Sequence, residues 1–230
     1  MSQIFINSFI PGGIVKDGLV LHLDAAQPSS YPGSGTTWTD LSGNGNNGTL
    51  TNGPTYSSAN GGSIVFDGSN DYVNGVHNTQ LNITGDITVE CWFRLTNTRS
   101  DWVRVFGKGG NTDRTFGLWY NQSISVYLYQ RYGASDMNTG YIAGVSLNTW
   151  YHMVGTSSSN SHKLYLNGVV RGSSNTGTTF ASSTAPYTVG YGNINTYHIG
   201  NIPKVSIYNR ALTAAEIAQN YNALKSRYGL

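Results

Sequence analysis

Charge is scarce in this sequence of 230 residues: charged side chains make up 10% of it, 13 basic against 11 acidic, for a formal net charge of +2 at pH 7. Such a balance creates no field that would draw nucleic acid or an anionic membrane, and the basic residues form no run, so neither is expected as a partner. Cysteine is nearly absent. The lone Cys91 cannot close an internal disulfide, so stability must rest on core burial. Val89 and Phe93 share its face of an expected strand, which makes it a packed thiol rather than a nucleophile. No apolar run approaches the ~20 residues that a membrane-crossing helix needs. The first residues lack a basic stretch followed by a continuous apolar one, so no secretory signal is predicted. Glutamate occurs only as Glu90 and Glu216.

Glycine and tyrosine are abundant instead, 29 and 16 residues, beside five tryptophans, and the polarity comes from Ser, Thr and Asn. That is a strand-and-turn composition, and one large all-β domain is preferred over two small ones. Residues 1–16 read as an extended arm, because Pro11, Gly12 and Gly13 interrupt any element. Ile4, Phe5, Ile6, Phe9 and Ile10 in that arm need a surface to cover them, so it is expected to dock on a partner chain. Residues 17–230 form the domain. Short segments of period-two alternation recur through it, at 19–23, 63–67, 87–95, 103–106, 115–120, 123–129, 151–154, 163–166 and 187–190, with Asn167 and Gly168 supplying a hairpin turn. The stretch 27–54 is a long Gly/Ser/Asn/Thr loop around Trp38. Only 213–228 reads as helix: Thr213 can cap it, Glu216 completes a capping box, and Ile217, Tyr221 and Leu224 fall on one face. It is expected to pack across one end of an antiparallel sandwich.

The segments 148–156 (NTWYHMVGT), 163–168 (KLYLNG) and 207–217 (IYNRALTAAEI) occur in order with turn-sized gaps between them. Together with 66–73 (FDGSNDYV), 87–93 (ITVECWF) and 106–108 (FGK), they make the chain resemble the laminin-G-like, concanavalin A-type lectin jelly roll. This resemblance implies a two-sheet antiparallel jelly-roll sandwich with one short C-terminal helix. Residues 19–24 (LVLHLD) and 30–50 are similar to the N-terminal part of such domains in virion proteins of tailed bacteriophages. Members bind sugars, bind proteins or act as spacers, so the fold alone does not choose a function. Where members often carry an acidic pair before the last strand, this chain has 200–205 (GNIPKV), which puts in doubt any cation held there.

Enzymatic readings find little support. Glycoside cleavage needs two carboxyl groups flanking the bond, and Glu90 stands alone on its strand while Glu216 belongs to a helix cap. Asp67 and Asp71 sit in a turn that explains them. No serine lies in a nucleophile elbow and no histidine pair has zinc spacing, with His152 and His22 read as packed strand residues. In the loop 40–47, Asp40, Ser42 and Asn44 place oxygens at alternate positions as a calcium site would, yet with a single carboxylate the preferred reading is satisfaction of turn amides. No other cofactor is implied. Tyr127, Tyr129, Tyr132, Tyr141, Tyr191 and Tyr197 lie in or beside Gly/Asn-rich turns and are the ligand or interface candidates, whereas Trp92, Trp119 and Trp150 are assigned to the core. The expectation is a non-enzymatic structural or decoration protein of a phage virion, in contact with other virion proteins or copies of itself. The alternative is a carbohydrate-binding adhesin module, calcium-assisted or not, on a phage fibre or bacterial surface, marked by a solvent-facing aromatic cluster.

Overall fold

The computed structural model describes residues 13–110, 112–133, 137–159, 161–175, 180–192 and 196–230. In chain order the strands are β1 (Leu19–Asp24), β2 (Thr37–Trp38), β3 (Gly48–Thr51), β4 (Thr55–Ser57), β5 (Ser63–Asp67), β6 (Tyr72–Asn74), β7 (Ile87–Leu95) and β8 (Trp102–Lys108). They continue as β9 (Phe116–Asn121), β10 (Val126–Arg131), β11 (Met137–Asn138), β12 (Ile142–Ala143), β13 (Trp150–Ser158), β14 (Ser161–Leu166), β15 (Val169–Ser174), β16 (Tyr187–Val189) and β17 (Ile199–Tyr208), followed by helix α1 (Ala214–Leu224). All pairings are antiparallel. The first sheet runs β15-β14-β13-β7-β17-β5-β4 with β1 also on β17, and the second runs β11-β10-β9-β8-β16-β6-β3-β2 with β12 on β10. The expected two-sheet sandwich is therefore observed, and the loop 27–54 contributes β2 and β3 to it, with Trp38 fully buried.

Period-two alternation explains where the core sits. Val89, Cys91 and Phe93 of β7, Met153 of β13, and Val205 and Ile207 of β17 face Leu118 and Tyr120 of β9 and Tyr127 and Tyr129 of β10, all in one buried cluster. Gly155 is a point of close approach between the sheets, because a Cβ there would collide with the Tyr129 ring. In β17, Pro203 sits where the register with β7 shifts between Asn201 and Lys204; residues before the shift pair with β5 and those after it with β1. A bulge tolerates the missing N–H, which reconciles proline with a central strand.

Helix α1 differs from expectation in position. It lies over the outer face of the first sheet rather than across an end: Tyr228, just beyond it, stacks on Trp92 with ring centroids 4.4 Å apart, and Trp92 also stacks on His152 at 4.8 Å. The physical reason is that β7 and β13 each carry a second set of large side chains, Trp92 and Trp150, on the face away from the sandwich. Such a face needs a cover. Val15, from the end of the expected arm, joins the cover too; its N–H donates to Asn220 Oδ1 and its carbonyl accepts from the Tyr208 hydroxyl. The packed unit thus begins before residue 17. The docking candidates Ile4, Phe5, Ile6, Phe9 and Ile10 lie outside the described residues.

Candidate functional site

The other outer face, that of the second sheet, carries no helix among the described residues. In β8 the residues Val103 and Val105 point into the core, so the alternate Trp102 and Arg104 point out. In β9 Phe116, Leu118 and Tyr120 are inward and Trp119 is outward; in β10 Leu128 and Gln130 are outward. The Trp119 indole lies flat along its strand because Gly117 offers no side chain to hold it off. A cavity of about 200 Å³ opens there between Trp102, Arg114, Trp119, Leu128, Gln130 and Tyr141. Tyr141 is 66% exposed and its ring tilts over Trp102 with centroids 5.3 Å apart. Gln130 Oε1 accepts the Tyr132 hydroxyl, and the Arg114 guanidinium stands between two rings, 5.3 Å from Trp119 and 5.6 Å from Tyr132.

A second cavity, about 240 Å³, adjoins on the side of β16 and β6 and is walled by Tyr72, Asn74, Arg104, Asp113, Thr188 and Tyr191 among others. Tyr191 stacks on Tyr197 at 4.9 Å and packs against Tyr72 at 5.3 Å, giving a continuous aromatic flank. Arg104 is fully buried on the other flank, its guanidinium 5.6 Å from the Trp119 ring. Asp113 Oδ1 accepts from the Gly110 N–H and Oδ2 from the Ser183 hydroxyl, and these bonds hold its carboxyl below the usual range. Lys108 donates to the carbonyls of Ser183 and Ala185, and burial pushes its ammonium down to about 8.

Of the six tyrosines chosen from the sequence, the structure brings Tyr141, Tyr191 and Tyr197 to this face. Tyr132 is buried beside it. Tyr127 and Tyr129 require correction: they occupy the inward positions of β10, are fully buried, and spend their hydroxyls on the Gly144 carbonyl and on Ser157 Oγ. Sequence reasoning missed Trp102, Arg104, Gln130, Tyr72 and Asn74, although the alternation in 102–106 (WVRVF) carried the signal for the first two.

A family model described as the concanavalin A-like lectin/glucanases superfamily, Laminin_G_3, matches residues 67–218, more than half of the sequence. The chain belongs to this superfamily. No curated protein matches it by sequence. Among solved structures this lectin-type sandwich is similar to the binding domain of Paraclostridial Mosquitocidal Protein 1 (TM-score 0.74, 19% identity), over 90% of this chain and 52% of that one. It is also similar to domain 4 of AbnA, an extracellular arabinanase of Geobacillus stearothermophilus solved with arabinotriose (TM-score 0.70, 16% identity, 88% and 98% coverage). Trypanosoma rangeli sialidase matches with a TM-score of 0.68 and 17% identity, over 90% of this chain and 33% of the enzyme. The chain thus spans about half of the first of these proteins and a third of the sialidase. At such identities the likeness is one of fold.

Away from the open face, the sandwich uses its remaining candidates structurally. Asp40 accepts from the backbone N–H groups of His22, Ser42 and Asn46 and from the Ser42 hydroxyl, so both carboxylate oxygens are occupied twice. The Ser42 hydroxyl accepts from Asn44 Nδ2. Among the described residues no group of three or more His, Cys, Asp or Glu is placed to hold a metal ion. Glu90 lies under the helix, where Oε1 meets the Lys204 ammonium and stands 3.2 Å from His152 Nε2, while Oε2 accepts from Asn220. Burial by itself would raise its carboxyl; Lys204 and His152 outweigh that and hold it well below the usual carboxylate range. Lys204 thus neutralises Glu90. Glu216 closes the capping box on Thr213 and pairs with Arg210.

Proposed function

We propose that this chain is a non-catalytic glycan-binding module that seats sugar rings against Trp102 and Tyr141 on the open face of the second sheet. The observation that carries the reading is the exposed Tyr141 ring tilted over Trp102 at the mouth of a cavity that also offers the Gln130 amide and the Arg114 guanidinium. Flat apolar faces beside planar hydrogen-bonding groups match the C–H faces and hydroxyl edges of a sugar ring. The fold-level likeness to an arabinanase domain solved with arabinotriose supports the same class of ligand. Hydrolysis is disfavoured on placement. Glycoside cleavage uses two carboxyl groups on either side of the bond, whereas among the described residues the two cavities of this face share the single carboxylate of Asp113, and both glutamates are engaged elsewhere.

A role on a phage particle, implied by the N-terminal resemblance, is compatible with glycan binding; assembly contacts would fall to residues 1–12 and other surfaces. The test is affinity electrophoresis in gels containing arabinan, laminarin, alginate, agar or envelope polysaccharide. Retardation by at least one polymer is expected, weakened about tenfold by Tyr141→Ala through the loss of one stacking face. Absence of retardation in every gel, or retardation untouched by Tyr141→Ala and Trp102→Ala, would overturn the reading.

A further inference from the structure

Arg104 is the least explained charge on the open face. Its Nε donates to the Tyr191 carbonyl at 3.2 Å and its Nη2 to Thr188 Oγ1 at 3.0 Å, while Nη1 is buried with no hydrogen-bond partner. Among the described residues it pairs with no carboxylate. A guanidinium has five N–H groups, and burying it without a counterion is costly unless something else supplies the negative charge. Its stack on Trp119 offsets part of that cost and no more. Burial pushes Arg104 down to about 10, so it stays cationic at neutral pH. Arg114 and Asp113 lie close enough to act on it electrostatically, and the Asp113 charge is already shared with Lys108.

We infer that the cavity walled by Tyr72, Asn74, Arg104 and Tyr191 is a subsite for an anionic sugar, one bearing a carboxylate or a sulfate ester. The inference deepens the glycan reading and rests on it. A sugar ring lies along the Tyr72 and Tyr191 faces, the Asn74 amide reaches its hydroxyls, and the acid group sits in the field of the buried guanidinium, offering Nη1 the acceptor that the protein withholds. A planar guanidinium fits a carboxylate or sulfate better than an ammonium does.

The test compares polygalacturonate with its carboxyl-reduced, neutral form and carrageenan with its desulfated form, at 150 mM salt so that diffuse attraction is screened. At least tenfold tighter binding of one acidic polymer than of its neutral counterpart is expected, the size of a charge-assisted hydrogen bond. The pair showing the difference identifies carboxylate or sulfate as the recognised group. Arg104→Gln should reduce acidic binding to the neutral level, and Arg104→Lys should restore part of it. Should either variant fail to fold, the wild-type protein still decides: galacturonate, and not galactose, should shift the Trp119 indole and Arg104 Nε signals in an NMR titration. Equal affinity for acidic and neutral polymers, with unmoved signals, overturns the anionic subsite while leaving glycan binding intact. Binding of no polymer, acidic or neutral, overturns both.

Discussion

Histidine titration is where single residues control this protein. Burial pushes the His22 and His198 rings down to about 3, and it lowers His152 as well despite the neighbouring Glu90. In the unfolded chain each would take up a proton near pH 6.5. Because the folded values are depressed, the unfolded state binds more protons below that pH, so the stability these groups lend is complete above about 6.5 and declines as pH falls. Glu90 acts in the same direction further down: its folded carboxyl is held low by Lys204 and His152, so its contribution is lost below about pH 4. Unfolding free energies from urea melts should fall as pH drops from 7 to 5, with a slope approaching ~1.4 kcal/mol per pH unit for a histidine whose folded ring stays neutral. An unchanged midpoint between pH 8 and 5 would show that these rings are protonated in the folded state. The sequence showed His22 as a packed strand residue from its alternation with apolar neighbours and His152 from its place in the strand motif 150–152. It could not show that Glu90, Lys204 and Asn220 converge, since these residues come from β7, β17 and α1.

At the level of elements, local chemistry was legible and orientation was not. The Thr213–Glu216 capping box and the Asn167–Gly168 turn, with φ of 50° and 77°, formed where the sequence put them because each depends on residues within a few positions. Strand β10 shows the limit. Its alternation is plain in 126–131 (VYLYQR), but which half faces inward depends on how the two sheets stack, and the tyrosines took the core while Leu128 and Gln130 took the open face. The binding face was illegible for the same reason, as its residues run from Tyr72 to Tyr191 with no fixed spacing. The loop 40–47 sits between these cases: the oxygen pattern was visible, and the structure shows its carboxylate accepting four hydrogen bonds, three from within the loop and one from the His22 N–H of β1. Asp40→Ala should therefore lower stability by about 3 kcal/mol, because buried N–H groups lose their acceptor. The loss should be the same in EDTA as in millimolar calcium. A midpoint that rises with calcium in the wild type, and not in the variant, would assign the loop to a cation instead.

Taken whole, the molecule is a sandwich with two unlike outsides. The first sheet's outer face is sealed by α1 and a stack of Trp92, His152, Tyr221 and Tyr228, and inside that seal lies the Glu90–Lys204 pair. The second sheet's outer face is left open, with Trp102 and Tyr141 at one cavity and Tyr72 and Tyr191 at the next. Two aromatic clusters of similar composition thus have opposite duties, and the difference should appear as a dissociation between stability and binding. Trp92→Ala removes a fully buried indole between the helix and the sheet, so it should cost about 3–5 kcal/mol while leaving glycan affinity unchanged in whatever fraction remains folded. Tyr141→Ala removes a ring that is 66% exposed and packed on one side, so it should move the thermal midpoint by a degree or so at most while weakening glycan binding. Thermal unfolding and affinity electrophoresis on the same preparations check both halves. If Tyr141→Ala destabilised as much as Trp92→Ala, the open face would be a second structural seal, and the argument that its aromatics are kept for a ligand would fail.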